Sequence, residues 1–143
     1  MNHHGLAKSS SKSTASVAAS ATFTHEIDTS GFKYLAIDVV YSPFTAATTA
    51  YASVLKLQES DASGSGQADI SGMSVTAGAG STTGANVGAI ARFNVDLRGR
   101  KRYISVVTSP GNTVAVSSDA RLAKGDNGAT DATGAGVNDY KSL

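Results

Sequence analysis

The sequence predicts an all-β protein, built as an antiparallel β-sandwich or a jelly-roll-like domain. Apolar and polar side chains alternate over several segments, which is the period of a strand with one buried face. Clusters of Gly, Pro, Asn, Asp and Ser separate these segments, and hardly any stretch has the period of an amphipathic helix. These observations do not distinguish between a sandwich and a jelly roll, because both use short antiparallel strands.

Strands are predicted over residues 17–28, 32–41, 53–60, 69–76, 90–97, 103–108 and 113–122. The second is the strongest, because Leu35, Ile37, Val39 and Tyr41 share one face in a run rich in β-branched and aromatic residues. Pro43 ends this strand, since proline cannot donate to a β-ladder.

A β-hairpin is the predicted arrangement of residues 90–108. Phe93, Val95 and Leu97 face inward on its first strand, and Ile104 faces inward on the second. Its turn holds Arg98, Gly99, Arg100, Lys101 and Arg102, which we call the basic turn.

The two ends of the chain differ in composition from its middle. Residues 1–16 are Ser- and Lys-rich without periodicity, and the sequence predicts a flexible N-terminal arm there. Residues 124–143 are rich in Gly, Ala, Asp and Asn, which predicts a flexible C-terminal tail. Residues 17–123 between them are predicted to form a single β-sandwich domain. Within it, the glycine-rich residues 77–88 are predicted to form a long flexible loop.

Composition excludes several classes of protein. The absence of cysteine excludes a disulfide framework and thiolate metal sites. A formal net charge of +1 gives no global attraction to nucleic acid or to a membrane surface. No run approaches the roughly 18 apolar residues of a transmembrane helix, so the sequence predicts neither a nucleic-acid nor a membrane partner.

Candidate catalytic residues are few. His25 is the only histidine within the predicted domain, but it lies in mid-strand, and no G-x-S-x-G turn surrounds any serine. Glu59 and Asp61 are candidates for an acid–base pair or for calcium ligands, although closeness in sequence does not show the separation that such chemistry needs. The sequence therefore predicts that the chain is not an enzyme.

Candidate ligand motifs are equally incomplete. His3 has the spacing from the amino terminus that a square-planar copper or nickel site uses, on a segment predicted to be flexible. The remaining candidates are Gly78, Gly80 and Gly84, which lack the Lys-Ser/Thr of a phosphate loop, and Asp126, Asn127, Gly128 and Asp131, which lack calcium-loop spacing. We therefore predict no cofactor and no resident metal.

The basic turn is the most concentrated charge in the sequence. Nucleic-acid binding would pair it with stacking aromatic rings, but strand alternation predicts that Tyr103 lies on the opposite face from Arg102. Two interpretations remain open. Arg98, Arg100, Lys101 and Arg102 form either a solvated turn or a contact site for an acidic partner surface, because the guanidinium fork suits carboxylates.

Three segments carry a resemblance to a known family. They are RFNVDLRGRKRYISV, KYLAIDVVYS and VLKLQESDASG, followed by Ala120, Arg121 and Leu122. Together they resemble small virion proteins of tailed phages, and most of all the capsid decoration (cement) proteins. The resemblance covers about residues 32–124 and leaves out both ends, and the basic turn is its most distinctive part.

The resemblance implies a structural role on the virion. Such proteins are made in the host cytoplasm and bind the outer capsid surface, where they clamp neighbouring major capsid subunits, typically as β-rich homotrimers. Small β-proteins of phages also serve as connector, tail or fibre components. The competing hypothesis is a carbohydrate- or surface-binding β-sandwich, for which Tyr41, Tyr51 and Tyr103 are the candidate rings, although tryptophan is absent.

Overall fold

The computed structural model describes residues 7–43, 52–77 and 88–124, which form eight β-strands. The strands are β1 (Ala7–Val17), β2 (Phe23–Asp28), β3 (Tyr34–Tyr41), β4 (Ala52–Ser60), β5 (Ala68–Val75), β6 (Ala89–Asp96), β7 (Tyr103–Pro110) and β8 (Val114–Ala123). These three ranges contain no helix, so the predicted all-β class is confirmed. They also contain no apolar helix of membrane-spanning length.

The strands form two antiparallel sheets of four strands each. Sheet I has the order β1-β8-β3-β6, and sheet II has the order β2-β7-β4-β5. Among the described strands, only β4 and β5 are both consecutive and hydrogen-bonded to each other; every other connection crosses between the sheets. This order is that of an eight-stranded jelly roll, one of the two predicted topologies.

The core lies between the sheets and is filled by alternate side chains from each strand. On β3, Leu35, Ile37, Val39 and Tyr41 are all almost completely buried, as the alternation predicted. The same holds for the other inward-facing apolar residues, among them Phe23, Ile27, Leu55, Leu57, Phe93, Val95, Ile104, Val106, Val116 and Leu122. Burial of these side chains is the main stabilising contribution to the fold.

The predicted hairpin at residues 90–108 is wrong. β6 pairs with β3 in sheet I, whereas β7 lies between β2 and β4 in sheet II, so β6 and β7 share no hydrogen-bonded ladder. The basic turn is therefore an arch that carries the chain from one sheet to the other. Alternation predicts the inward-facing residues of β6 and β7 correctly, but it does not determine which strand pairs with each of them.

The predicted single strand at residues 17–28 is also wrong, because it is divided between the two sheets. β1 ends at Val17 in sheet I, and β2 begins at Phe23 in sheet II. The crossing contains Ser20, whose φ of 65° is uncommon for a residue with a side chain. The backbone N–H of Ser20 donates to the carbonyl oxygen of Pro110 at 2.8 Å, which ties the crossing to the end of β7.

The prediction of a flexible N-terminal arm is wrong for residues 7–16, which belong to β1. This strand pairs with β8 from the Ala7–Ala123 pair to the Val17–Val114 pair, with an irregularity near its end. Lys8, Ser10, Lys12 and Thr14 pair with residues of β8 that face the core, so their side chains are on the inner side of sheet I. Because none of these four residues is apolar, β1 shows no alternation of apolar and polar residues in the sequence. Residues 1–6 and nearly all of the predicted C-terminal tail, 125–143, lie outside the described residues.

The two inward lysines of β1 close the gap between the edges of the sheets. Lys12 Nζ donates to the carbonyl oxygen of Thr24 at 2.6 Å, and Lys8 Nζ donates to that of Asp28 at 3.3 Å. Both acceptors belong to β2, the edge strand of sheet II. Charged side chains at an edge discourage further strand pairing, so this side of the sandwich is protected against β-addition.

Candidate protein-binding surface

Each basic side chain of the basic turn forms an ion pair with a carboxylate of its own chain. The pairs are Arg98–Asp96, Arg100–Glu59, Lys101–Asp61 and Arg102–Asp28. The four positive charges that the sequence concentrates in one turn are thus matched by four negative charges. The partner contact predicted for these four residues stays a prediction, but the turn is not an uncompensated positive patch.

Glu59 holds the basic turn from the end of β4. One carboxylate oxygen accepts a hydrogen bond from the backbone N–H of Lys101 at 3.2 Å, and the other lies 3.4 Å from Arg100 Nη1. The Glu59 side chain is only 18% exposed. Asp61, the other carboxylate considered as an acid or base, lies 3.1 Å from Lys101 Nζ. Both groups are therefore engaged in positioning the turn.

Arg102 joins the basic turn to sheet II. Its Nε and Nη2 atoms donate to the two carboxylate oxygens of Asp28 at 3.0 and 2.8 Å. These hydrogen bonds lower the pKa of Asp28 to about 2. The guanidinium also lies over the Tyr103 ring, 5.0 Å from its centroid, so the prediction that the two residues occupy opposite faces is wrong. Arg102 precedes β7, and strand alternation does not apply to it.

Arg98 joins the other end of the basic turn to sheet I. Its guanidinium donates to Asp96, and the pKa of Asp96 falls to about 2 mainly because of these hydrogen bonds. The same guanidinium lies 5.7 Å from the centroid of the Tyr34 ring. Gly99 between the arginines has a φ of 80°, a conformation that favours glycine and reverses the chain.

His25 is buried and contacts two serine hydroxyls. Its Nε2 atom lies 3.0 Å from Ser10 Oγ on β1, and its Nδ1 atom lies 3.0 Å from Ser118 Oγ on β8. Burial lowers the pKa of His25, and the charge of Lys12 lowers it further. A Ser-His-Asp triad needs a carboxylate at one ring nitrogen, and here hydroxyls occupy both positions. The described residues also contain no group of three or more histidine and carboxylate side chains that could hold a metal ion.

The other candidate residues are buried, covered or outside the description. Tyr41 is 1% exposed, and its hydroxyl lies 2.8 Å from Thr108 Oγ1 in the opposite sheet, so its ring is not a platform for sugars. Tyr103 is half-buried beneath Arg102. The candidates outside the described residues are His3, Tyr51, Gly78, Gly80, Gly84, Asp126, Asn127, Gly128 and Asp131.

A different surface emerges from the outward positions of sheet I, which we call the sheet I face. Many of its side chains are small: Ser9, Ser11, Ser13, Ala36, Ala115, Ser117 and Ala123. Two adjoining cavities of about 420 and 400 Å³ lie on it, and Ala36, Asn94 and Arg121 line both. The first cavity reaches Tyr34, and the second reaches Val40. The sequence analysis does not predict this surface, because it considers the inward-facing residues of each strand. The outward-facing residues that alternate with them could have indicated it.

Charges on the sheet I face are only partly paired. Arg92 donates to both carboxylate oxygens of Asp38. Asp119 lies directly opposite Asp38 on the neighbouring strand, and Arg121 lies two positions further along β8. Within the described part of the chain, the side chains of Asp119 and Arg121 form no ion pair and no hydrogen bond, and they interact with Asp38 and His25 only through longer-range electrostatics.

Apolar side chains are exposed beside these unpaired charges. Ile90 is 71% exposed, Tyr34 is 41% exposed and Val40 is 39% exposed, and all three point outward from sheet I. Exposed apolar groups next to unpaired charges are characteristic of a surface that binds another molecule. The sheet I face is therefore the candidate functional site.

The outer side of sheet II is different, because the chain covers part of it. Residues 61–67 fold back toward this side, where Ser63 Oγ and the backbone N–H of Gly64 donate to the carboxylate of Glu26. These bonds lower the pKa of Glu26. Lys56 is paired as well, 2.8 Å from the carboxylate of Asp69.

No protein-family model and no curated protein matches the chain. Solved structures with a distant similarity include a mitogen from Yersinia pseudotuberculosis, with 10% identity, 86% of this chain and 92% of the other covered, and a TM-score of 0.45. The YomS protein derived from the SPBc2 prophage has 13% identity, 81% and 95% coverage, and a TM-score of 0.40. A chain of empty cowpea mosaic virus particles has 9% identity, 64% and 52% coverage, and a TM-score of 0.38. Similarity at this level does not assign a role.

Proposed function

We propose that this chain is a structural protein of a tailed-phage virion, which stabilises the outer capsid lattice by binding neighbouring major capsid subunits. The observation that carries the proposal is the basic turn, where the guanidinium groups of Arg98 and Arg102 stay exposed although each is paired with an aspartate of the chain. Such a surface suits binding to another protein rather than conversion of a substrate. The resemblance of the basic turn and its flanking strands to decoration proteins supplies the virion context.

A protein that links lattice subunits needs more than one contact surface on a rigid body. The sandwich has two such candidates, the sheet I face and the basic turn at the arch between β6 and β7. Arg98 and Arg102 are 63% and 53% exposed even though each is paired. A guanidinium has five N–H donors, so an arginine that already binds its own aspartate keeps donors for a carboxylate on the capsid.

The capsid role is tested with undecorated heads of the phage that encodes this chain. We expect the wild-type protein to co-sediment with these heads in a copy number near that of the major capsid protein. The Arg98→Gln/Arg102→Gln variant should bind at least about tenfold more weakly, because contacts of desolvated charges at interfaces are strong. Lys56→Gln is the matched control, since it removes a paired cation from the outer side of sheet II.

Two results would contradict this proposal at different levels. Wild-type protein that ignores the heads would overturn the capsid role altogether. Undiminished binding by the double variant would instead remove the basic turn from the contact. The homotrimer and the outer-surface location rest on the resemblance alone, and light scattering and electron microscopy of decorated heads test them.

A carbohydrate-binding module is the second candidate, and the cavity of about 420 Å³ beside Tyr34 favours it. The Tyr34 ring, which is 41% exposed with Arg98 over it, lies there with Asn94 and Arg121, a combination of an aromatic surface and planar polar groups that suits a sugar. A glycan array is the test. Binding that Tyr34→Ala abolishes would establish this function, and an array without hits would dispose of it.

A further inference from the structure

We infer that the sheet I face binds the same face of a second copy of this chain, through a two-fold axis that crosses β8 above Ala120. The inference goes beyond the proposed function, because it assigns the sheet I face to a second copy and leaves the basic turn for the capsid, and it stands whether or not the protein decorates a capsid. It rests on the order of side chains along neighbouring strands of sheet I.

The first step concerns β8. Asp119 and Arg121 flank Ala120 and point outward, about 7 Å apart along the strand. Consider two such faces that meet across a two-fold axis, which lies between them and runs perpendicular to the strands. Each β8 then lies over the β8 of the other copy, and the two strands run in opposite directions. Asp119 of each copy then lies over Arg121 of the other, so two charges per copy that have no ion-pair partner within residues 7–43, 52–77 and 88–124 form two equivalent ion pairs. A two-fold interface is self-complementary in this sense.

The second step concerns β3 and β6, whose outward-facing residues lie level with those of β8 and form rows across the sheet. In the hydrogen-bonded register, Asp119 is level with Asp38 and Arg92, whereas Arg121 is level with Ala36 and Asn94. The two-fold axis therefore places the Asp38–Arg92 ion pair of one copy over the neutral Ala36 and Asn94 of the other. No like charges meet in these rows.

The third step concerns the two ends of the face, where on β6 the axis places Ile90 of one copy over the paired Asp96 of the other. Ser117 is level with Val40, and Ala123 is level with Tyr34. The same axis brings exposed Val40 of one copy close to exposed Tyr34 of the other, which removes both from water. The axis also places the cavity beside Tyr34 of one copy over the cavity beside Val40 of the other, so that residues around Val40 fill the first cavity. The small side chains between them allow the sheets to approach to the usual distance of about 10 Å.

The alternative axis, parallel to the strands, is unfavourable. It would place Asp119 over Asp119 and Arg121 over Arg121, and like charges that face each other at an interface oppose association. The charges thus select one orientation of the second copy.

The test is light scattering as a function of concentration, with charge-reversal variants. Wild-type protein should form a dimer rather than the trimer that the resemblance implies, and both Asp119→Arg and Arg121→Asp should weaken dimerisation by at least about tenfold, because each replaces two attractive pairs by repulsive ones. An equimolar mixture of the two variants should regain wild-type affinity as a heterodimer, since arginines at positions 119 and 121 of one then meet aspartates of the other. Asp61→Arg is the control, because it makes the same charge change away from the sheet I face.

Circular dichroism of each variant confirms that the sandwich is folded before association is compared. Restored association in the mixture supports the two-fold contact, because a structural defect in either variant would not be repaired by mixing. A monomeric wild-type protein, a trimer that is insensitive to both substitutions, or a mixture that fails to associate would each overturn the inference. None of these results depends on binding to phage heads.

Discussion

The basic turn and the sheet I face carry charge in opposite ways. The turn has the highest density of positive charge in the sequence, yet each of its four cations is paired with a carboxylate of the same chain. The sheet I face has fewer charges, and among the described residues Asp119 and Arg121 on it are unpaired. The turn uses its charges mainly to hold the arch between the sheets, whereas the face keeps charges available for another molecule.

The difference shows that local charge density is a poor guide to a binding surface. Arg102 and Asp28 are 74 positions apart in the chain, and Arg100 and Glu59 are 41 apart, so neither pair is visible in a local pattern. Whether a charge is available depends on partners that only folding brings close. Substitutions in the two regions should therefore change the stability of the fold by different amounts and with different signs.

Glu59→Gln should produce the largest change, because it weakens the contact that holds the basic turn. The variant keeps the size of the side chain but removes the charge that faces Arg100 and the backbone N–H of Lys101. We expect the free energy of unfolding to fall by about 1–2 kcal/mol, measured by urea denaturation. A loss of less than about 0.3 kcal/mol would mean that the pairing in the turn is incidental.

Lowering the pH should weaken the turn by a second route. The pKa of Asp28 is lowered from 3.8 to about 2 in the folded protein. A depressed carboxyl pKa stabilises the fold above the unfolded-state value, and this stabilisation is lost as the pH falls from about 4 toward 2. The thermal midpoints of wild-type protein and Asp28→Asn should therefore converge over that range. Asp96→Asn should behave likewise, and a difference that stays constant with pH would argue against the paired state.

Asp119→Asn should have the smallest effect, with the opposite sign. Asp119 lies directly opposite Asp38, and like charges facing each other across a ladder are destabilising. Removing one charge should raise the free energy of unfolding of the monomer by up to about 0.5 kcal/mol at low salt, and the gain should shrink at high salt. The measurement is made below the concentration at which copies associate. A clear destabilisation would show that Asp119 has a stabilising partner within the chain.

Much of the core was predictable from the sequence, because inward-facing residues recur at every second position. Leu35, Ile37 and Val39 illustrate this, since their alternation is visible without any knowledge of their neighbours. β1 was not predictable in this way. Its inward side chains include Lys8 and Lys12, so its position depends on backbone pairing with β8, which the sequence does not display.

The candidate site was predictable only in part. The sequence predicts the basic turn itself but not its carboxylate partners, which come from β2, the β4–β5 region and β6. The sheet I face was missed, because Asp119 and Arg121 look like ordinary exposed residues of a strand. Their meaning depends on the absence of partners among the described residues, and that is a property of the folded surface.

The sequence by itself determined which residues form most of the strands and which of their side chains face the core, because both follow from the chemistry of adjacent residues and the two-residue period of a strand. Only the tertiary structure decided that β6 and β7 lie in different sheets and that the basic turn is neutralised. It also decided that one sheet face keeps charges that no other described residue pairs. These outcomes depend on contacts between distant segments, and a pattern along the chain does not specify which distant segments meet.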